Sequence, residues 1–250
     1  MIYLKLTGRL VLVAFFAILL QSCGSRREMV YANNIQDKAY EQVTQYEPVL
    51  QPDDLLTIQV LGENQEVTVP FNLPEMGQND SEYRNIRTYL IDNQGYIDFP
   101  VLGRVKLSGL TRTEAREKLV KMLSEYIVNP TVNFRIVNYK VSVLGEVLRP
   151  GNYNSQGERI TLLEALGLAG DLTIYGRRDN ILLIRETEGK KEHTRINLAD
   201  AGFIDSPYYY LKQNDIIYVE PNKTKIHTSR IGPDIYLIFS GISVLTTLFV

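Results

Sequence analysis

The chain has 250 residues, of which 44% are hydrophobic, enough to build a packed core and too many for a disordered chain. Its formal net charge of -2 gives no general attraction to nucleic acid, which calls for a basic excess. Its single cysteine, Cys23, excludes an internal disulfide and any cysteine-rich metal site.

Lys5 and Arg9 precede an unbroken apolar run from Leu10 to Leu20, which is short for a bilayer span and suits the hydrophobic region of a signal peptide. Leu20-Gln21-Ser22-Cys23-Gly24 then resembles the lipobox of bacterial lipoproteins. Cleavage would fall before Cys23, whose thiol would carry diacylglycerol and whose new amine would be acylated, and several acyl chains on one residue hold a protein firmly in a membrane. The alternative is an ordinary secretory signal with an incidental cysteine. Glycine rather than aspartate after Cys23 favours the outer membrane by analogy with enterobacterial sorting. Residues 24–47 are polar and aperiodic and read as a tether.

A turn at Gln51-Pro52-Asp53-Asp54 leads into a strand with Leu56, Ile58 and Val60 on one face. Asp53 and Asp54 are adjacent, so on a strand they point to opposite faces, and a turn-and-start role suits them better than shared acid–base work. Glu63 to Arg87 is polar, with Pro70, Pro74 and Gly77, and reads as a long loop or hairpin insertion. Tyr89 to Pro100 reads as two strands around the turn Asn93-Gln94-Gly95, continued by Val101 to Val105. Thr111-Arg112-Thr113-Glu114 is a capping box, and Ala115, Leu119, Met122, Leu123 and Tyr126 follow at helical spacing until Asn129-Pro130. Val132, Phe134 and Ile136 alternate, as do Val141 and Val143.

The same vocabulary then repeats. Gly145 to Gly151 ends a strand in a Pro-Gly turn, and Thr161-Leu162-Leu163-Glu164 is a second capping box. Asn180–Arg185 and Gln213–Val219 read as strands, the latter opening on an Asp-apolar-apolar run like that at Asp54. The fold class is α+β. The expected division is a signal peptide (1–22), a lipidated tether (23–47), a first α+β unit (48–138), a second (139–221), a linker (222–234) and a C-terminal apolar helix (235–250).

Little in the sequence points to catalysis. His193 and His227 stand apart from acid-rich motifs and read as surface residues. No Gly-x-Ser-x-Gly elbow, phosphate-cradling loop or metal motif is present, and no cofactor is expected. A glycosidase would need two converging carboxylates, and the sequence marks none. Tyrosine is abundant at 16 residues while tryptophan is absent, which suits half-buried strands and polar contacts, sugars included. Ile235 to Val250 has no charged side chain, and as a helix it would measure roughly 24 Å at about 1.5 Å per residue. Ser240, Ser243 and Thr247 form a polar stripe on it, fit for a pore lining or for packing against a neighbouring helix. A helix docked on the protein's own core is the alternative.

On these residues the chain resembles the polysaccharide export outer-membrane lipoproteins, the Wza-like family. Pro52 to Val60, Gly95 to Gly103, Gly109-Leu110-Thr111 with Glu114-Ala115, and Asn129 to Val132 resemble the polysaccharide export domain. Val143 to Val147, Pro150-Gly151, Thr161 to Leu166 and Ala169 to Leu172 resemble a soluble-ligand-binding β-grasp domain. The resemblance implies a ring of identical subunits whose C-terminal helices cross the outer membrane as an α-helical barrel, in contact with its lipid. It also implies a polysaccharide substrate and an inner-membrane chain-length regulator, or copolymerase, docked beneath. The chain departs from the best-known members in having one β-grasp unit, an insertion at 63–87 and a more apolar tail. A periplasmic scaffold that binds glycan or a partner, with no pore of its own, is the competing function.

Overall fold

The computed structural model describes residues 29–35, 46–73, 87–155, 157–187 and 189–230. They form two α+β units, each around its own buried apolar cluster, with Ile136 packed against both. Among these residues no helix is long and apolar enough to cross a membrane. The expected signal peptide and apolar tail lie outside them.

In the first unit, β1 (Leu55–Leu61) is the middle strand of a three-stranded sheet, between β2 (Tyr89–Leu90) and β5 (Thr131–Ile136). The antiparallel register sets Leu56 opposite Ile136, Ile58 opposite Phe134 and Val60 opposite Val132, so the alternating apolar residues of both strands share one face. Helix α2 (Arg112–Leu123) lays Ala115, Leu119 and Leu123 into the core. Its start is fixed by the reciprocal hydrogen bonds of Thr111 and Glu114.

Two expectations change here. The run after Pro100 does not continue the strand: Val101, at φ 66, turns the chain, and β3 (Tyr96–Phe99) pairs back on β4 (Gly103–Lys106) as a hairpin. A valine in the left-handed region carries no turn signature, so alternation alone misread it. The start of the insertion is not loop or hairpin either. Asn64 caps a single turn, α1 (Gln65–Thr68), and a 3-10 turn follows that buries Phe71. The Asn72 amide then donates to the Val60 carbonyl at 2.9 Å and accepts from its N–H at 2.9 Å, standing in for a strand partner that β2 is too short to supply.

The second unit is a five-stranded sheet in the order β7-β6-β10-β8-β9. It comprises β6 (Lys140–Gly145), β7 (Gly151–Asn154), β8 (Gly176–Thr187), β9 (Lys190–Ile196) and β10 (Ile216–Pro221). Helix α3 (Leu162–Leu168) joins the β6–β7 hairpin to the β8–β9 hairpin, and its buried Leu162, Ala165 and Leu166 join Val141 and Val143 in one cluster. The two central strands, β6 and β10, are parallel and the other neighbours antiparallel. Gly145, at φ 88, ends β6 where an added Cβ would meet the Val219 carbonyl oxygen at 2.1 Å, so no other residue fits. The segment expected as a linker is helical over α4 (Lys223–Arg230).

The stretch read as tether is in part bound to the body. Ala32 and Asn33 donate backbone hydrogen bonds to the Leu198 and Ala199 carbonyls, and the Tyr31 hydroxyl donates to Asp171. Tyr46 stacks on Tyr210 with ring centroids 4.7 Å apart.

Candidate functional site

The two units meet through a pair of matching turns. In Gln51–Asp54 the Asp54 carboxylate accepts from the Gln51 N–H at 3.0 Å and Asp53 takes φ 69. In Lys212–Asp215 the Asp215 carboxylate accepts from the Lys212 N–H at 2.7 Å and Asn214 takes φ 65. The backbone N–H of each aspartate returns to the first residue of its turn. The turn-and-start role expected of Asp53 and Asp54 is the one observed, and the echo between the two runs is physical.

Asn138, at the boundary of the units, holds the first turn. Its side chain accepts from the Leu55 N–H at 2.9 Å and donates to the Asp53 carbonyl at 2.8 Å. Gln213, in the second turn, donates to the Asn138 carbonyl at 2.9 Å and accepts from the Lys140 N–H at 2.7 Å. Gln51 donates to the Gln213 carbonyl at 3.2 Å, closing the bridge. A buried Tyr139 hydroxyl donates to the Leu211 carbonyl at 2.6 Å, and burial raises its pKa.

The turns differ in charge. Asp215, fully buried, receives the Arg185 guanidinium at 2.7 and 3.0 Å. Burial opposes the charge on Arg185, but the hydrogen bonds and charge of Asp215 outweigh it and raise its pKa. Asp54 has no such cation among the described residues: one carboxyl oxygen is buried without a partner there, and burial pushes its pKa up to about 6. Sequence reading passed over Arg185, although Ile181, Leu183 and Arg185 fall at alternate positions and so share the inward face.

Above Arg185 lies an aromatic group built on the run Tyr208-Tyr209-Tyr210. Arg185 sits over the Tyr208 ring at 5.5 Å, and Arg159 sits over Tyr210 at 5.1 Å while bonding its hydroxyl at 2.9 Å. Tyr208 also donates to Glu192 at 2.6 Å and borders a cavity of about 260 Å³ with Arg195, Asn197 and Asp200. Aromatic faces flanked by guanidinium and carboxylate groups suit contact with polyhydroxylated ligands. A larger cavity, about 840 Å³, is lined by Met29, Ile174, Arg177, Arg178, Asn222 and Thr224 among others.

Cys23, Ser240, Ser243 and Thr247 lie outside the described residues. His193 and His227 are exposed, on β9 and α4. Among the described residues no group of His, Cys, Asp and Glu side chains is arranged to hold a metal.

Two family models match. Residues 42–137 match the family described as polysaccharide biosynthesis/export protein, and residues 139–219 match the SLBB domain. A curated relative from Ralstonia solanacearum, named EPS I polysaccharide export outer membrane protein EpsA, is 30% identical over 180 residues. The match covers 68% of this chain and 47% of that protein. A protein of the same name from Ralstonia nicotianae is 32% identical over 142 residues, covering 54% of this chain and 36% of its own length. The chain thus aligns with less than half of either relative.

Proposed function

Because the chain belongs to the Wza-like polysaccharide export family, we propose that it is an outer-membrane component that passes a polysaccharide out of the cell and carries out no reaction on it. The observation that carries this reading is the succession of an export unit and an SLBB unit, joined by a tight bridge, with the uncharged stretch 235–250 following. Acylated Cys23 would anchor the chain while the bulk of the protein stays in the periplasm. Identical subunits would form a ring, with Ser240, Ser243 and Thr247 turned to the lumen or to neighbouring helices. An inner-membrane chain-length regulator would meet the ring from below. The parallel centre of the second sheet, with its crossing helix, supports the reading of that unit as a β-grasp domain.

Deleting residues 235–250 tests the channel. The expected result is a folded, acylated protein that no longer delivers polysaccharide to the cell surface; normal delivery would overturn the helical pore. A scaffold without a pore is the second reading, favoured by the absence of any charged side chain in 235–250. Cysteines placed at 240, 243 and 247 separate the two: a water-soluble thiol reagent modifies them in a lumen and leaves them untouched in a lipid-embedded anchor.

A further inference from the structure

Strands β6 and β10 start at the bridge between the units and run in parallel away from it. The far end of the second unit is therefore built from the 146–150 loop, the 169–176 loop and α4. The N-terminal segment comes to the same end, since Met29 lines the large cavity together with Ile174 and Ile226. This end exposes an unusual set of apolar side chains. Leu148 is 68% and Ile174 66% exposed, and Met29, Val30, Leu168 and Ile226 are exposed too. They fall in two groups at this end: Leu148 lies against Gly170 while Arg149 donates to the Leu168 carbonyl at 3.3 Å, and Met29, Ile174 and Ile226 line one cavity. A patch of this kind on a soluble surface marks a contact.

Charge narrows the kind of contact. Arg177 is engaged by Asp179 and Glu220, and Lys225 by Glu146. Arg149 and Lys223 are exposed and have no carboxylate partner among the described residues. Protruding aliphatic side chains ringed by a few free cations match the boundary of a phospholipid leaflet, where tails take the apolar groups and phosphates the cations.

We propose that this end of the second unit, through Leu148 and Ile174 with Arg149 and Lys223 at its rim, rests in the surface of the membrane to which the chain is anchored. The proposal builds on the anchoring put forward above. Chain length supports it: five residues link Cys23 to Met29, and the six steps reach at most about 21 Å. Four residues separate Arg230 from Ile235, and the five steps reach at most about 18 Å. Two short leashes leaving one end of the body hold that end against the bilayer.

The test uses the full-length acylated chain in vesicles of three parts phosphatidylethanolamine to one part phosphatidylglycerol. A polarity-sensitive fluorophore is attached to Ile174→Cys, to Leu148→Cys or to Val128→Cys. Val128 is 72% exposed in the first unit, so its label meets water unless something else covers it. The expected result is that the protein floats with the vesicles, the labels at 148 and 174 shift to the blue and are quenched by lipid-borne nitroxide, and the label at 128 is neither. Flotation with labels at 148 and 174 that report water overturns the membrane contact and leaves the anchoring intact. Blue-shifted labels that lipid-borne nitroxide does not reach assign the patch to another protein surface and overturn the proposal as well. Failure to float overturns both the anchoring and the contact built on it.

Discussion

Asp54 and Asp215 perform the same backbone task in different electrostatic surroundings, and stability against pH tells them apart. Arg185 neutralises Asp215, whereas Asp54 is buried with an unpaired oxygen and titrates near 6 rather than its ordinary 3.8. A folded-state pKa above the unfolded one means that the contribution to stability is complete below about pH 4 and is lost as pH rises through 6. At about 1.4 kcal/mol for each tenfold change in proton affinity, the loss is on the order of 3 kcal/mol by pH 7. Asp92, Asp179 and Glu220 are held low, by hydrogen bonds from the Tyr96 backbone, Arg177 and Arg195 respectively, and act in the opposite sense. They are unchanged in an Asp54→Asn variant and cancel from the comparison. Urea unfolding at pH 4.5 and 7 is therefore expected to show wild type losing stability relative to Asp54→Asn as pH rises; parallel curves would remove Asp54 from the account. The turn itself was legible from Pro52-Asp53-Asp54, but the missing cation was not. An ion pair 30 residues apart in sequence, like Arg185 with Asp215, depends on which strands become neighbours.

Helices were the most legible elements because their signals are local. Both capping boxes form as read, at Thr111 with Glu114 and at Thr161 with Glu164. Both threonines form an isolated bridge, Thr111 with Val49 and Thr161 with Tyr210, but Thr161 is buried whereas the bonds of the Thr111 cap are exposed. Thr111→Ala is expected to cost about 1 kcal/mol and Thr161→Ala nearer to about 2 kcal/mol, since solvent cannot replace the lost bonds at 161. Equal shifts in the urea midpoint would show that burial does not matter here. Strands were legible where alternation marked a buried face, as in β1 and β5. Reading failed where backbone geometry or long-range bonding decided the outcome. Val101 takes a left-handed φ ahead of Gly103, Asn72 imitates a strand with its side chain, and residues 32–33 dock through main-chain atoms that leave no pattern in sequence. The proposed membrane patch was also invisible in the sequence, because Met29, Leu148, Ile174 and Ile226 come together only through the topology of the second sheet.

At the scale of the whole molecule, the bridge of Gln51, Asn138 and Gln213 links two cores and is expected to make them unfold as one. Each side-chain group in it pairs with a backbone atom at the junction of the units, so removing the side chains leaves half-buried donors and acceptors without these partners, at up to about 1 kcal/mol each. Calorimetry of wild type is expected to show one cooperative transition, and an Asn138→Ala, Gln213→Ala double variant to show two. A single transition in the variant would assign the coupling to the shared packing around Ile136 instead. The position of β10 has a further consequence for how the protein comes into being. It is the last strand among the described residues and occupies the centre of its sheet, between β6 and β8. A chain emerging end-first from a translocation pore therefore holds two unjoined hairpins until residues 216–221 have passed through. The first unit, complete at residue 136, is free to fold long before. Closure of the second waits for residues 216–221, just before the uncharged stretch begins to appear, and until then the apolar faces of two hairpins are open for a chaperone to guard.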